Sequence, residues 1–248
     1  MANFNNPEEL KTFVKEVLTK AEGAKDSLYR LSFAGTGDSG ASFGLFQNDV
    51  AVNDVAKAEF RTILTQARND ARVALFTSAE VDQIVTLAGA KRVTAAHFTR
   101  SDLDRVNKAL SSADGKRVID DLDGRTLTKV TNLVNTFLGT VNSGSLGTGV
   151  FNRANPDPIA LAAVVSWTNR SGEPIDIAKY MSGQALFFNG QSRKLLAAPT
   201  RSDTEFYLSN QEYFRLLRPN EFYGATSAGG WWKKGQRHRA DRNDLWMG

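Results

Sequence analysis

The chain has 248 residues, 41% apolar and 23% charged, with a formal net charge of +4. It is an ordinary globular composition, long enough to bury a core without covalent staples, as one large domain or two small ones. There is no cysteine, and the two histidines, His97 and His238, lie far apart; disulfides and thiolate metal sites are excluded, and neither a metal nor a cofactor is expected.

The first helix is well marked. Asn6 can cap it, Pro7 suits its first position, and Glu9 completes a capping box. Leu10, Phe13, Val14, Val17, Leu18 and Ala21 then recur at helical spacing, and Gly23 ends the run. From Ser27 to Phe33, Tyr29, Leu31 and Phe33 alternate with Leu28, Arg30 and Ser32, as in a strand with one more apolar face. A glycine-rich turn follows, and a second short strand runs through Phe43, Leu45 and Gln47. This is the one hairpin the sequence predicts.

Beyond Asp54 the pattern is helical, with helices expected near 54–75, 78–89, 101–112, 124–141, 157–168, 174–182 and 203–217. Ser78, Ser101 and Ser202 are the expected N-caps, because acids follow each of them closely. The stretch VNSGSLGTG at 141–149 reads as a loop, and the tail from Pro219 is irregular. There is no internal repeat. The expected class is helix-dominated α+β, with one main domain over 1–218 and a basic aromatic tail over 219–248 packed on it.

Three carboxylates invite a chemical reading. Glu22 follows Leu18 by four residues, so it shares the apolar face of the first helix, and it sits at the C-terminal end of the helix dipole. Both effects raise a carboxyl pKa and suit a general acid, although a last-turn glutamate pointing into water is the plainer alternative. Asp38 stands between Gly37 and Ser39-Gly40, where glycine allows close approach of backbone or ligand; a simple turn-forming aspartate would look the same. Asp49 either belongs to the same site or merely ends the strand. Glycoside cleavage needs two carboxyls, one to protonate the leaving oxygen and one to activate water or attack the sugar.

The thirteen residues Gly37-Asp38-Ser39-Gly40-Ala41-Ser42-Phe43-Gly44-Leu45-Phe46-Gln47-Asn48-Asp49 resemble the goose-type lysozyme signature G-D-x-G-x-x-F-G-L-M-Q-x-D, with Phe46 in place of Met. Lytic transglycosylases share its G-L-M-Q core, and inverting chitosanases share a helix-end glutamate followed by an aspartate hairpin, with a spacing nearer to this chain's. The resemblance implies a two-lobed lysozyme-like fold with one small hairpin near the N-terminus. It also implies a glycosidase of the lysozyme type that cleaves β-1,4 bonds of an aminosugar polymer. Glu22 matches the acid, although Gly23 stands where the family has serine, and Asp38 and Asp49 match the aspartates that hold or activate water. Ser42 would help to hold that water, and Phe43, Gln47 and Tyr29 would line the sugar site. A weaker echo of the family's A-Y-N-A-G motif lies at Ser166-Trp167-Thr168-Asn169-Arg170-Ser171-Gly172; it would add Trp167 and Asn169 as sugar contacts, with core packing as the alternative for Trp167.

Retention of Asp38 favours water as nucleophile over the anhydro-forming transglycosylase route, hence an inverting hydrolase. Peptidoglycan is the expected substrate, because a mildly basic protein suits an anionic wall better than it suits polycationic chitosan; chitosanase, chitinase and transglycosylase activities remain the alternatives. The tail residues WWKKGQRHRADRNDLW could pack on the domain, bind glycan, or bind nucleic acid by stacking and phosphate contact, and packing is the expected reading. A rival of another class is a non-catalytic wall-binding or structural protein. No apolar run reaches the length of a membrane span. MANFNNPEEL has neither the basic start nor the apolar core of a signal peptide, so action on a wall would follow release from the cytoplasm or a dedicated export, as for an endolysin or a bacteriolytic toxin.

Overall fold

The computed structural model describes residues 3–22, 28–34, 38–172, 174–188 and 191–209. Helices dominate these residues, joined by a three-stranded and a two-stranded antiparallel sheet, so the α+β, mainly helical class is as expected. The chain divides into two compact units, Met1–Ala21 with Thr128–Gly248, and Glu22–Leu127.

The unit Glu22–Leu127 carries the motif. Strands β1 (Ser32–Phe33), β2 (Ala41–Phe43) and β3 (Asn48–Asp49) pair in that order, with Ser32 opposite Ser42 and Ser42 opposite Asp49. The expected second strand through Phe43, Leu45 and Gln47 is therefore interrupted: β2 ends at Phe43, and a turn at 44–47 separates it from β3. Gly44 and Gln47 there take left-handed backbone conformations, with φ of 80° and 53°, which no strand can hold. Likewise the expected strand from Ser27 is regular only at Ser32–Phe33, since residues 28–30 form a turn.

Behind the sheet lie α2 (Asp54–Gln66), α3 (Ser78–Ala88), α4 (Arg100–Ser111) and the first part of α5 (Ala113–Asn142). Phe43 of β2, Phe60 and Leu64 of α2, Val85 of α3, Leu110 of α4 and Ile119 of α5 share one buried cluster. The Phe43 and Phe60 rings stack at 5.7 Å. Asn53 caps α2 by accepting from Val55 and Ala56 N–H.

Two helix boundaries differ from expectation for local reasons. Helix α2 stops at Gln66 rather than near 75. The Asn69 side chain accepts the Val73 N–H at 2.9 Å, and Arg68 bridges Ala74, so residues 68–74 close a turn of their own. Helix α5 starts at Ala113 rather than near 124. Ser112 Oγ accepts the Gly115 N–H at 3.0 Å as a cap, and burial of Val118, Ile119 and Leu122 outweighs the poor helix propensity of Gly115 and Gly124. The division between the units falls within α5.

In the other unit, α1 (Pro7–Glu22) begins at Pro7 with Asn6 as its cap, as expected, but the Asn6 N–H goes to the Asn3 carbonyl and not to Glu9, so the expected capping box does not close. Asn6 Oδ1 accepts the Glu8 N–H at 3.1 Å, and Glu9 reaches back to the Asn6 side chain and the Asn3 N–H. Helix α6 (Pro158–Ser171) is capped by Asp157, which accepts from Ile159 and Ala160 N–H and pairs with Arg201 at 2.6 Å. It is buried at every residue from Ala160 to Thr168, as suits a sequence apolar on all faces. Helices α7 (Ile175–Met181) and α8 (Arg201–Ser209) flank a second hairpin, β4 (Leu186–Phe188) with β5 (Gln191–Arg193). The sequence analysis missed this hairpin; its apolar anchor is Phe188, which packs edge-on to Tyr180 at 5.3 Å. No helix among the described residues is long and apolar enough to cross a membrane.

Candidate functional site

The motif folds into a loop that is braced from inside. Asp49, on β3, turns its carboxylate back under the glycine turn. It accepts from Ser39 Oγ, from the Gly40 N–H at 3.1 Å and from the Ala51 N–H at 2.7 Å. A Cβ on Gly40 would stand 2.6 Å from the Ala88 carbonyl oxygen and 2.8 Å from Ala51 Cβ, so only glycine lets the loop lie this close to the end of α3. The Arg92 N–H, in the segment after α3, bonds the Ser39 carbonyl at 2.8 Å.

Asp38 is the contrasting carboxylate. It sits at the tip with its side chain 72% exposed, paired at 3.1 Å with the equally exposed Lys91. An exposed pair of this kind contributes little to stability, about 0–1 kcal/mol. It leaves the Asp38 carboxylate open to solvent.

The rest of the motif supports these two. Gln47 Oε1 accepts from Ser32 Oγ at 2.5 Å, and the Ser42 carbonyl accepts from the same hydroxyl at 3.1 Å, so the Ser32 side chain joins β1 to the turn at 44–47. Ser42 is buried. Phe43 is 0% exposed and stacks on Phe60. It therefore cannot offer a face to a sugar, and its place among the expected sugar contacts is corrected to the core. Tyr29 donates its hydroxyl to Asp120 at 2.9 Å, with the Lys116 ammonium 5.1 Å above its ring. That hydrogen bond, followed by burial, lifts the Tyr29 phenol above its ordinary pKa.

Glu22 is the last residue of α1; its side chain, with Gly23 and the tail from Pro219, lies outside the described residues. Trp167 falls inside α6, as the expected helix over 157–168 has it, and Asn169 does too because α6 runs on to Ser171; both lie in the unit that does not hold the motif, and Trp167 is 9% exposed. Of the expected site residues, Ser42 and Asp49 are paired on the small sheet, and Asp38 and Gln47 lie on the segments that join its strands.

One carboxylate escaped the sequence reading. Asp123 of α5 accepts the Leu45 N–H at 2.7 Å and the Asn48 Nδ2 at 2.8 Å, and the Phe46 N–H also favours its charged form. Burial pushes its carboxyl above the ordinary range, against the pull of these three donors. The available signal was its spacing, four residues after the buried Ile119. An open groove between α2 and α5 is lined by Glu59, Gln66, Arg117, Asp121 and Arg125. Its charges pair internally, Arg125 with Glu59 at 2.5 Å and Arg117 with Asp121 at 3.9 Å, and none of the candidate residues lines it.

No family model, no curated protein and no solved structure matches this chain.

Proposed function

We propose that this protein is a glycoside hydrolase with a lysozyme-like fold that cleaves β-1,4 bonds of peptidoglycan by inversion. The observation that carries the reading is the division of labour between the two motif aspartates. Asp49 is engaged by three donors of its own loop, whereas Asp38 projects from that braced loop into solvent. A general base needs both a carboxylate that water can reach and a fixed position; the exposed Lys91 partner leaves the Asp38 carboxylate open to solvent.

In this reading Glu22, at the end of α1, gives its proton to the glycosidic oxygen as the bond to the anomeric carbon breaks. Asp38 takes a proton from a water that attacks the opposite face of the same carbon. Asp49 acts through the loop rather than on the water, and Gln47 borders the sugar site. An inverting pair leaves room for the water when its carboxyls stand about 6.5–9.5 Å apart.

The test is product analysis by mass spectrometry after incubation with peptidoglycan, chitin oligomers and chitosan oligomers, beside Glu22→Gln and Asp38→Asn. Reducing-end fragments from peptidoglycan, absent with both variants, are expected. Fragments from chitosan alone would move the substrate, and anhydro products that persist with Asp38→Asn would replace hydrolysis by transglycosylation. Binding of glycan without cleavage would make the protein a wall-binding module.

A further inference from the structure

We propose that Asp123 is a positioning residue for the candidate site: from α5 it clamps the turn Gly44–Asn48, and with it Gln47 and the strand that carries Asp49. The clamp rests on geometry alone; its catalytic consequence rests on the glycosidase reading.

The turn is built around the Asp123 carboxylate. The Leu45 N–H and the Asn48 side-chain amide bond it directly, and the next backbone N–H, of Phe46, favours its charged form. This is the concave arrangement of donors that in other settings binds a free anion. Here the chain supplies the anion from a helix 75 or more residues further on. A Cβ on Gly44 would lie 2.8 Å and 3.1 Å from the two Asp123 oxygens and 2.8 Å from Asn48 Nδ2, so the carboxylate occupies the space that the glycine leaves. The turn also holds two left-handed residues, Gly44 and Gln47. Gln47 is not glycine, and its conformation costs free energy that surrounding contacts must offset. The carboxylate supplies those contacts on one side and Ser32 on the other.

The ionisable groups that act on Asp123 are Asp120 on the same helix, and Tyr29, whose hydroxyl Asp120 accepts and above whose ring Lys116 lies. An ionised Asp123 serves all three donors. Asparagine in its place has one oxygen and an amide that turns N–H toward N–H, so at least one donor of the turn is left without an acceptor. The loosened turn displaces the loop that aims Asp38, and such displacement acts on the chemical step more than on binding.

Two measurements separate the clamp from the reading it serves. The first is a pH titration of the backbone amide resonances of the wild-type protein by NMR. The Leu45 and Phe46 amides are expected to shift with one common midpoint above about 3.9, the ordinary aspartate value. Asn48→Ala, which removes one donor that favours the charged form, is expected to raise that midpoint, and in Asp123→Asn the transition disappears. The second is turnover of peptidoglycan: Asp123→Asn is expected to lower kcat by about 10–100-fold with KM within about threefold, while Asp121→Asn, an exposed neighbour on α5, keeps wild-type kinetics. Absence of a shared Leu45–Phe46 transition overturns the clamp, whether or not Asp123→Asn folds. A shared transition together with wild-type kcat in Asp123→Asn overturns the positioning role. A shared transition in a wild-type protein that cleaves nothing upholds the clamp and overturns its catalytic consequence along with the glycosidase reading.

Discussion

Asp38 and Asp49 stand eleven residues apart and are held in opposite ways. Removing the Asp49 carboxylate leaves the Gly40 and Ala51 N–H groups without their acceptor. Asp49→Ala is therefore expected to lower stability by about 1–3 kcal/mol in urea unfolding. Asp38→Asn loses only an exposed ion pair and is expected to unfold within about 0.5 kcal/mol of wild type while abolishing cleavage. Asp123 makes the third case. Burial raises its folded-state pKa above the unfolded value, so folding takes up protons there. Its contribution to stability is full below the ordinary aspartate pKa of about 3.9 and is lost as pH rises through the raised value. The stability difference between wild type and Asp123→Asn is expected to shift against wild type as pH rises from about 4; a difference flat in pH would contradict the assignment. Asp38 and Asp49 were legible because they lie in one contiguous motif. Asp123 was not, because its donors are far away in sequence and its own neighbourhood, Asp120-Asp121-Leu122-Asp123, reads as a solvated acidic run.

At the scale of elements, the helices were legible and their caps were displaced. Serine was expected at 78, 101 and 202, but the helices are capped at Thr77 and Thr99, and Thr200 forms the same reciprocal bonds with Asp203 ahead of α8. In each case the threonine has an acid three residues on, Glu80, Asp102 or Asp203, which is the register a capping box requires. Thr77→Ala is expected to cost about 0.5–2 kcal/mol, and Ser78→Ala to stay within about 0.5 kcal/mol, both read from thermal or urea unfolding. Equal costs would mean that the cap is misplaced. The end of α2 was hidden because apolar periodicity continues past Gln66 while the Asn69 side chain diverts the backbone into a turn. The β4–β5 hairpin was hidden because its strands are three residues each, too short for alternation to register.

For the molecule as a whole, composition gave the class but not the division. A mainly helical α+β chain follows from periodicity. The joining of residues 1–21 to those beyond 128 depends on long-range packing, and the division crosses a helix that has no local break there. The net charge of +4 bears on the proposed partner. Attraction to an anionic wall is screened once the Debye length falls to about 10 Å at 0.1 M salt, so co-sedimentation with peptidoglycan is expected to weaken above that ionic strength. Salt-independent sedimentation would assign binding to uncharged sugar contacts instead. If Asp38 directs water to the anomeric carbon, the configuration of the first product, followed by proton NMR during cleavage of a soluble peptidoglycan fragment, records it. The α-anomer is expected to form first and then to mutarotate. A β-anomer first, an anhydro sugar, or no product at all would contradict that role of Asp38.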